Sequence, residues 1–300
     1  MELVKLNRNE APKKLAKDIK ACPDHIIQDV LKRAFEEDLG LSGDLSGLYF
    51  IDQDARRKVA LVSRQDGCVA GLDIAGKAFK FIDDTVLFDK RLEDGDLVKK
   101  GDVLAVIEGN ARSILAAERT ALNILTHLSG IASYTNELTN LISNHKAKLL
   151  DTRKTLPGLR ALQKYAVRVG GGVNHRFGLN DAVMIKDNHI AFMSSLKEAV
   201  TSAREKLGPL VKIEIEIDRL DQLDDVLDCR PDVIMLDNMP PEILKQAVTI
   251  INGHAITEAS GNIKAETIEA VAASGVDYIS CGALTHSVQN FDIGLDDFSA

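Results

Sequence analysis

Cysteine is scarce in this 300-residue chain and nowhere paired: Cys22, Cys68, Cys229 and Cys281 form no CxxC and do not cluster with histidine. That spacing indicates neither a zinc site nor a disulfide framework, and structural thiols are the default. Long apolar runs are missing as well. Every run falls far short of the roughly 20 residues that cross a bilayer, and the start, MELVKLNRNEAPKK, has no apolar signal core, so a cytoplasmic protein is expected. Positive charge is in deficit. A net charge of −8 argues against nucleic acid or an anionic membrane as main partner, while leaving room for a local basic site. GxSxG and GxGxxG are both absent, which removes support for a hydrolase elbow or a dinucleotide fingerprint.

What is present is a globular composition, 45% hydrophobic, long enough for one large domain or two moderate ones. From residue 146 onward, short apolar segments (AKLLDTRK, AVMIKDNH, VKIEIEID, VIMLDN, AITEASG, DYISCGA) alternate with helical patterns near 157–169, 194–207, 219–228, 240–250 and 265–274. In the first of these helices Pro157 suits the first turn, Leu159, Leu162, Ala166 and Val169 recur at helical spacing, and Gly170 is expected to end it in a left-handed conformation. Repeated βα units favour a parallel sheet, open or closed into a barrel, with helices outside. Residues 1–116 read differently, as a separate mixed α/β domain opened by a helix near 23–38, and the tail 287–300 is expected to pack with it; 117–286 then form the barrel domain.

Two segments imitate known motifs and fall short of them. GLDIAGK, Gly71 to Lys77, follows the phosphate-binding loop but has Ala78 where that loop needs Ser or Thr, and no convincing strand-to-helix setting. GDLVKKGDVLAVIEG resembles carrier-domain turns yet has no exposed hairpin lysine, so a plain β-hairpin with glycine turns is expected.

Chemistry in a parallel α/β sheet gathers at the carboxyl ends of the strands. Those ends read Asp151, Thr152, Arg153, Lys154; Lys186, Asp187, Asn188, His189; Glu216; Asp237, Asn238; Ser260, Gly261, Asn262; and Cys281, Gly282. Residues 151–186 hold seven cations against two acids. Arg160, Lys164 and Arg168 share one helical face, where a solvated stripe is the expectation. Arg153, Lys154, Arg176 and Lys186 lie at strand ends or in GGGVNHRFG beside His175, and suit a pocket for a small polyanion. The small residues Ser260, Gly261, Asn262 and Gly282 can cradle a phosphate with backbone amides. Between the two ends, Glu216 and Asp237 are placed to hold hydroxyls or a hydrated magnesium ion. The segment VKIEIEID sharpens the picture. Alone it suits a half-exposed strand with isoleucines inward, but in a barrel its outer face meets helices, so Glu214 and Glu216 must point inside and need partners. Glu214 is expected to pair with a buried cation.

ERTALNILTHLSGIA, DTRKTLPGLRALQKYAVRVGGGVNHRFGLNDAVMIKDNH, IEIEID, IMLDN, EASGN and ISCGALTHS together closely resemble the quinolinate phosphoribosyltransferase family, in order across most of the chain. The resemblance implies an incomplete α/β (TIM-like) barrel behind an N-terminal mixed α/β domain. It also implies conversion of quinolinate and phosphoribosyl pyrophosphate to nicotinate mononucleotide, pyrophosphate and carbon dioxide with magnesium, in de novo NAD synthesis. Carried over, Arg119 is the arginine donated across a homodimer, with a higher oligomer allowed. Thr152, Arg153, Lys154, His175, Arg176 and Lys186 form the cationic pocket, and Glu216 and Asp237 serve the ribose and, indirectly, the metal. Ser260, Gly261, Asn262, Cys281, Gly282 and Ala283 bind phosphate. The catalytic set is Arg153, Lys154, His175, Lys186, Glu216 and Asp237, and Lys154, His175 and water are the alternatives for the group that protonates the ring carbon after decarboxylation. Some members carry Gly where Asn262 stands; Asn tolerates unusual dihedrals better than most residues. The competing readings are a related transferase acting on a monocarboxylate or another anionic acceptor, and a non-catalytic anion-binding protein.

Overall fold

In the computed structural model residues 19–298 are described, and they divide into two units. The first gathers the described residues through Asn136, Leu156–Gly171 and those from Val288 onward. Its elements are α1 (Asp24–Leu39), α2 (Leu45–Phe50), β1 (Arg56–Ser63), β2 (Gly67–Cys68), α3 (Leu72–Ile82), β3 (Leu87–Lys90), β4 (Leu97–Val98), β5 (Val103–Asn110), the start of α4 (Ala111–Leu141), α5 (Arg160–Val169) and β12 (Ile293–Asp297). Four strands pair antiparallel in the order β12-β1-β5-β3, so the C-terminal strand completes a sheet begun at residue 56. Ala60 and Leu61 of β1 and the run Val103 to Ile107 of β5, covered on both faces, join Phe79 of α3 and Leu31 of α1 in this unit's core.

Three expectations need correction here. The hairpin over 95–109 does not form: β4 pairs with β2, while β5 pairs with β1 and β3, because Gly101 (φ +91°) turns the chain out of one sheet into another. Gly170 ends α5 in a right-handed conformation, φ −73°, and the left-handed residue is Gly171. Gly170 is there for closeness: a Cβ on it would stand 2.4 Å from Ala132 O and 2.6 Å from Thr135 Cβ, so α5 approaches α4 only without a side chain at that point. Lys164 is 2% exposed instead of solvated, since α5 lies within this unit and is covered nearly all round. GLDIAGK is mostly helix, and the first amides of α3, Gly71 N and Leu72 N, donate to the Asp94 carboxylate (2.8 and 2.9 Å), which leaves no phosphate loop.

The second unit holds Glu137–Thr155 and Gly172–Ser287. Its elements are β6 (Lys148–Leu150), β7 (Val183–Ile185), α6 (Asp187–Ile190), α7 (Leu196–Lys206), β8 (Ile213–Ile217), α8 (Leu223–Asp228), β9 (Val233–Asp237), α9 (Pro241–Ile251), β10 (Ile256–Ser260), α10 (Ala265–Ala273), β11 (Tyr278–Ser280) and α11 (Ala283–His286). The six strands are parallel in the order β6-β11-β10-β9-β8-β7. Each strand neighbours its sequential partner except at one place, and the ring stays open between β6 and β7. This is an incomplete barrel. Val173 pairs with Leu150 in a single parallel bridge and lays the GGGVNH segment along the free edge of β6. The helix after β6 belongs to the other unit, which is why the barrel lacks a full first βα repeat.

Candidate active site

The inward residues of these strands follow from alternation. Met184 and Lys186, Glu214 and Glu216, Met235 and Asp237, Glu258 and Ser260, and Ser280 share the interior side, and with one exception, Glu214, they line a cavity of about 390 Å³ at the carboxyl ends of the strands. Thr152, Arg153, Lys154, His175, Arg176, Asn238, Gly261 and Asn262 complete its wall. Of the residues the sequence nominated, the cavity therefore brings together the cationic set, both carboxylates and the turn 260–262.

The cations are positioned by their loops. Asp151, fully buried at the end of β6, accepts hydrogen bonds from His175 N (2.8 Å) and Asn174 Nδ2 (2.6 Å), and so fixes the segment that carries His175 and Arg176. Arg176 donates through Nη1 to Ala182 O (2.8 Å) and reaches Met184 Sδ at 3.5 Å. Burial and, next, repulsion by Arg153 hold the Arg176 guanidinium below its ordinary pKa, the electrostatic signature of cations gathered for an anion. Lys154 N is held by Thr152 Oγ1 (3.0 Å) and Lys154 O by the Thr285 hydroxyl (2.8 Å). Lys186 donates to Glu216 across β7 and β8.

At the opposite side, Gly261 has φ +95°, and a Cβ there would meet Asn238 Oδ1 at 2.1 Å. Asn238 (φ +55°) donates N–H to Ser260 O (2.8 Å) and accepts from Asn262 Nδ2 (3.1 Å), tying the ends of β9 and β10. Asn262 itself has φ +53°, a conformation Asn adopts more readily than most residues. Gly282 lies under the Lys154 stem, 2.9 Å from its Cδ to a would-be Cβ. Cys281, Gly282 and Ala283 are not among the cavity residues. The Cys281 N–H is spent on Leu150 O (3.0 Å) and its thiol, pushed up by burial, sits 3.6 Å from Ile263 O, because alternation turns residue 281 outward between Ser280 and Gly282. Arg119 is exposed on α4 in the other unit and is likewise not a cavity residue.

Glu214 has its partner: His175 Nε2 lies 3.2 Å from Glu214 and 3.4 Å from Glu258, with both carboxylates buried. Burial lowers the pKa of the His175 imidazole, but the hydrogen bonds it donates to Glu214 and Glu258 outweigh that and raise it to about 10; burial likewise raises Glu214. The three groups thus share one extra proton at neutral pH, and that proton belongs to the cluster rather than to one residue. Arg176 N–H donates to His175 Nδ1 (2.7 Å), so the other ring nitrogen, Nε2, carries the hydrogen that faces the two carboxylates. The same bond argues against a metal here, although the three ligand atoms lie within 4.8 Å: with Nδ1 an acceptor, Nε2 keeps its hydrogen and has no lone pair to give. Both ring nitrogens are engaged by protein groups, so a proton from His175 to substrate requires breaking one of these contacts. Since the cluster's proton is bound more tightly folded than unfolded, its stabilisation is full below about pH 6.5 and fades as pH rises toward about 10. The thermal midpoint is expected to fall more steeply from pH 7 to 9.5 in the native protein than in Glu258→Gln; parallel slopes would contradict the shared proton.

Glu258, Met184, Met235 and Ser280 escaped the sequence reading. The signal was available: each lies two residues before a nominated strand-end residue, hence on the same inward side.

Comparison with known proteins shows the family. Residues 44–129 match the model for the quinolinate phosphoribosyl transferase N-terminal domain and residues 131–296 that for the C-terminal domain. The chain is 43% identical over 271 residues to a probable nicotinate-nucleotide pyrophosphorylase [carboxylating] of Bacillus subtilis, covering 90% of this chain and 93% of that one. It is 42% identical to the nicotinate-nucleotide pyrophosphorylase [carboxylating] of Mycobacterium leprae, covering 92% and 98%. Among solved structures, NadC from Streptococcus pyogenes superposes with a TM-score of 0.88 at 41% identity over 92% of this chain and 98% of that one.

Proposed function

The chain belongs to the quinolinate phosphoribosyl transferase family, and from that premise we infer how its cavity performs the decarboxylating transfer of a phosphoribosyl group to quinolinate. The observation that carries the reading is the order of charges across the cavity: Arg153, Lys154, Arg176 and Lys186 on one side, Glu216 and Asp237 between, and the Gly261 turn on the other. A dicarboxylate meets the cations, the ribose meets the carboxylates and the 5′-phosphate meets the turn amides.

The pyridine nitrogen attacks the anomeric carbon as the bond to pyrophosphate breaks, and both electrons of that bond leave with pyrophosphate. Glu216 and Asp237 face the ribose and offset its developing positive charge, while Lys154 and its neighbours stabilise the departing oxygens. No enzyme nucleophile takes part. When the carboxylate on the adjacent ring carbon leaves as carbon dioxide, the electron pair of the broken bond stays on that carbon, stabilised by the positive charge of the quaternary nitrogen beside it, and this pair then takes up a proton. With both His175 nitrogens engaged in the protein, Lys154 and water are the better placed donors.

Magnesium fits the donor set. Glu216 and Asp237 offer hard oxygens without thiol or imidazole, and since Lys186 and the Asn238 amide already hold them, a hydrated ion bound through water suits them better than direct ligation. When bound, it would supply charge neutralisation for pyrophosphate. The reading extends to a homodimer in which Arg119 completes the partner's cationic side, and to a cytoplasmic enzyme, which suits four free, buried thiols. Quinolinate-dependent release of carbon dioxide, measured with and without EDTA, tests the proposal. Release that needs phosphoribosyl pyrophosphate and falls by at least tenfold with EDTA is expected; pyrophosphate release with nicotinate as readily as with quinolinate would overturn it.

A further inference from the structure

An aromatic acceptor needs apolar surface, and this cavity has little. Among its lining residues, only Met184 and Met235 bring a side chain without charge, hydroxyl or amide. They stand on β7 and β9, the two strands that flank β8, and are offset in level: Met184 is in register with Glu214, Met235 with Glu216. Each is followed two residues later, on the same inward side, by a charged cavity residue, Lys186 or Asp237. The two thioethers thus lie diagonally across β8, each one inward step below a charged strand-end residue.

Neither side chain is loose. Met235 is 5% exposed, and Met184 Sδ lies 3.5 Å from Arg176 Nη2, a guanidinium that is itself anchored on Ala182 O. Methionine in a protein interior is usually adaptable filler, but a thioether also makes favourable contacts with aromatic rings. Carboxylate recognition by arginines and lysines specifies charge and its spacing. It does not distinguish a flat ring from an aliphatic chain bearing the same two groups.

We infer that Met184 and Met235 form the surface on which the acceptor's ring lies, and that they select an aromatic dicarboxylate over an aliphatic one with the same carboxylate spacing. The inference rests on the function proposed above. It makes both methionines specificity-determining residues, with the cations supplying affinity and the thioethers supplying the choice of ring.

The test compares two inhibitors of turnover, benzene-1,2-dicarboxylate and maleate, which share adjacent carboxylates but differ in the ring. The native enzyme is expected to prefer the benzene compound by about tenfold or more. Met184→Ala and Met235→Ala should each shrink that preference by about three- to tenfold, and the leucine variants, which keep the apolar volume, should restore most of it. Inhibition by inorganic pyrophosphate, which reads Lys154 and its neighbours without needing an apolar surface, should stay within about twofold in every variant and certifies that the site is folded. A ring preference unchanged in both alanine variants, or absent in the native enzyme while both dicarboxylates bind, overturns the inference and leaves the proposed function standing. If neither dicarboxylate inhibits the native enzyme, the proposed function fails and the inference falls with it.

Discussion

Arg153→Ala is expected to lower kcat/KM for quinolinate by on the order of 1,000-fold while moving the thermal midpoint by no more than about 2 °C. Arg153 follows β6 directly, half-buried, and its guanidinium belongs to the cationic wall. Two charge-assisted hydrogen bonds to a carboxylate, at about 1.5–3 kcal/mol each, account for a loss of that size. The fold should not suffer, because Arg153 repels Arg176 and its removal relaxes that repulsion in the free enzyme. Steady-state carbon dioxide release and a thermal melt decide the matter together. Near-normal turnover in this variant would sink the assignment of the cationic wall. The homodimer can be tested with the same variant. Mixed with Arg119→Ala, which the proposed donation across the dimer would make inactive for the other reason, random pairing should restore about a quarter of native activity, since half of the dimers then hold one complete site. Strict absence of recovery in mixtures that do exchange subunits would refute donation of Arg119.

His175→Ala is expected to lose both activity and stability, the second by about 3–5 kcal/mol, or roughly 10 °C in thermal midpoint. The imidazole separates Glu214 and Glu258, which are 5% and 2% exposed, and each keeps one carboxylate oxygen, Oε1, without a hydrogen bond among the described residues. Removing the ring leaves two buried carboxyls facing one another with no donor between them, and one must hold a proton at a cost the native cluster shares three ways. The contrast with Arg153→Ala lies in the neighbours: the His175 ring stands between two buried carboxyls, whereas the Arg153 guanidinium faces another cation. Lowering the pH toward 5 should recover part of the His175→Ala deficit by protonating a carboxyl. A deficit that grows instead would mean that the ring matters for packing and not for charge.

The incomplete barrel and its site were legible from a single rule, alternation along strands read at their carboxyl ends. The segment VKIEIEID shows how far that rule goes. It placed Glu214 and Glu216 inside once the parallel architecture was granted, and burial of Ile213, Ile215 and Ile217 on the other face agrees. What alternation cannot supply is the identity of a partner brought by a different segment. His175 reaches Glu214 because Asp151 grips its loop and Val173 lies along β6, contacts between stretches with no local signal for each other. Lys164 and Gly170 were misread for a related reason. Helix periodicity assigns a face to solvent, but α5 leaves the barrel and is enclosed by the other unit, where a glycine serves for close approach and a lysine is buried.

The pairing of β12 with β1 has a consequence for the order in which the chain acquires structure. Arg64 meets Asp296 across 232 residues, and the five register pairs from Val59–Asp297 to Ser63–Ile293 close only when that last strand has been synthesised. Until then one edge of the N-terminal sheet has its ladder groups open, a surface on which other chains can pair. The parallel barrel, whose strands all lie between residues 148 and 280, has every strand available earlier. Synthesis therefore favours a finished barrel waiting on an unfinished sheet, and removal of the chain from residue 288 through β12 would turn a folded enzyme into one with a permanently exposed edge.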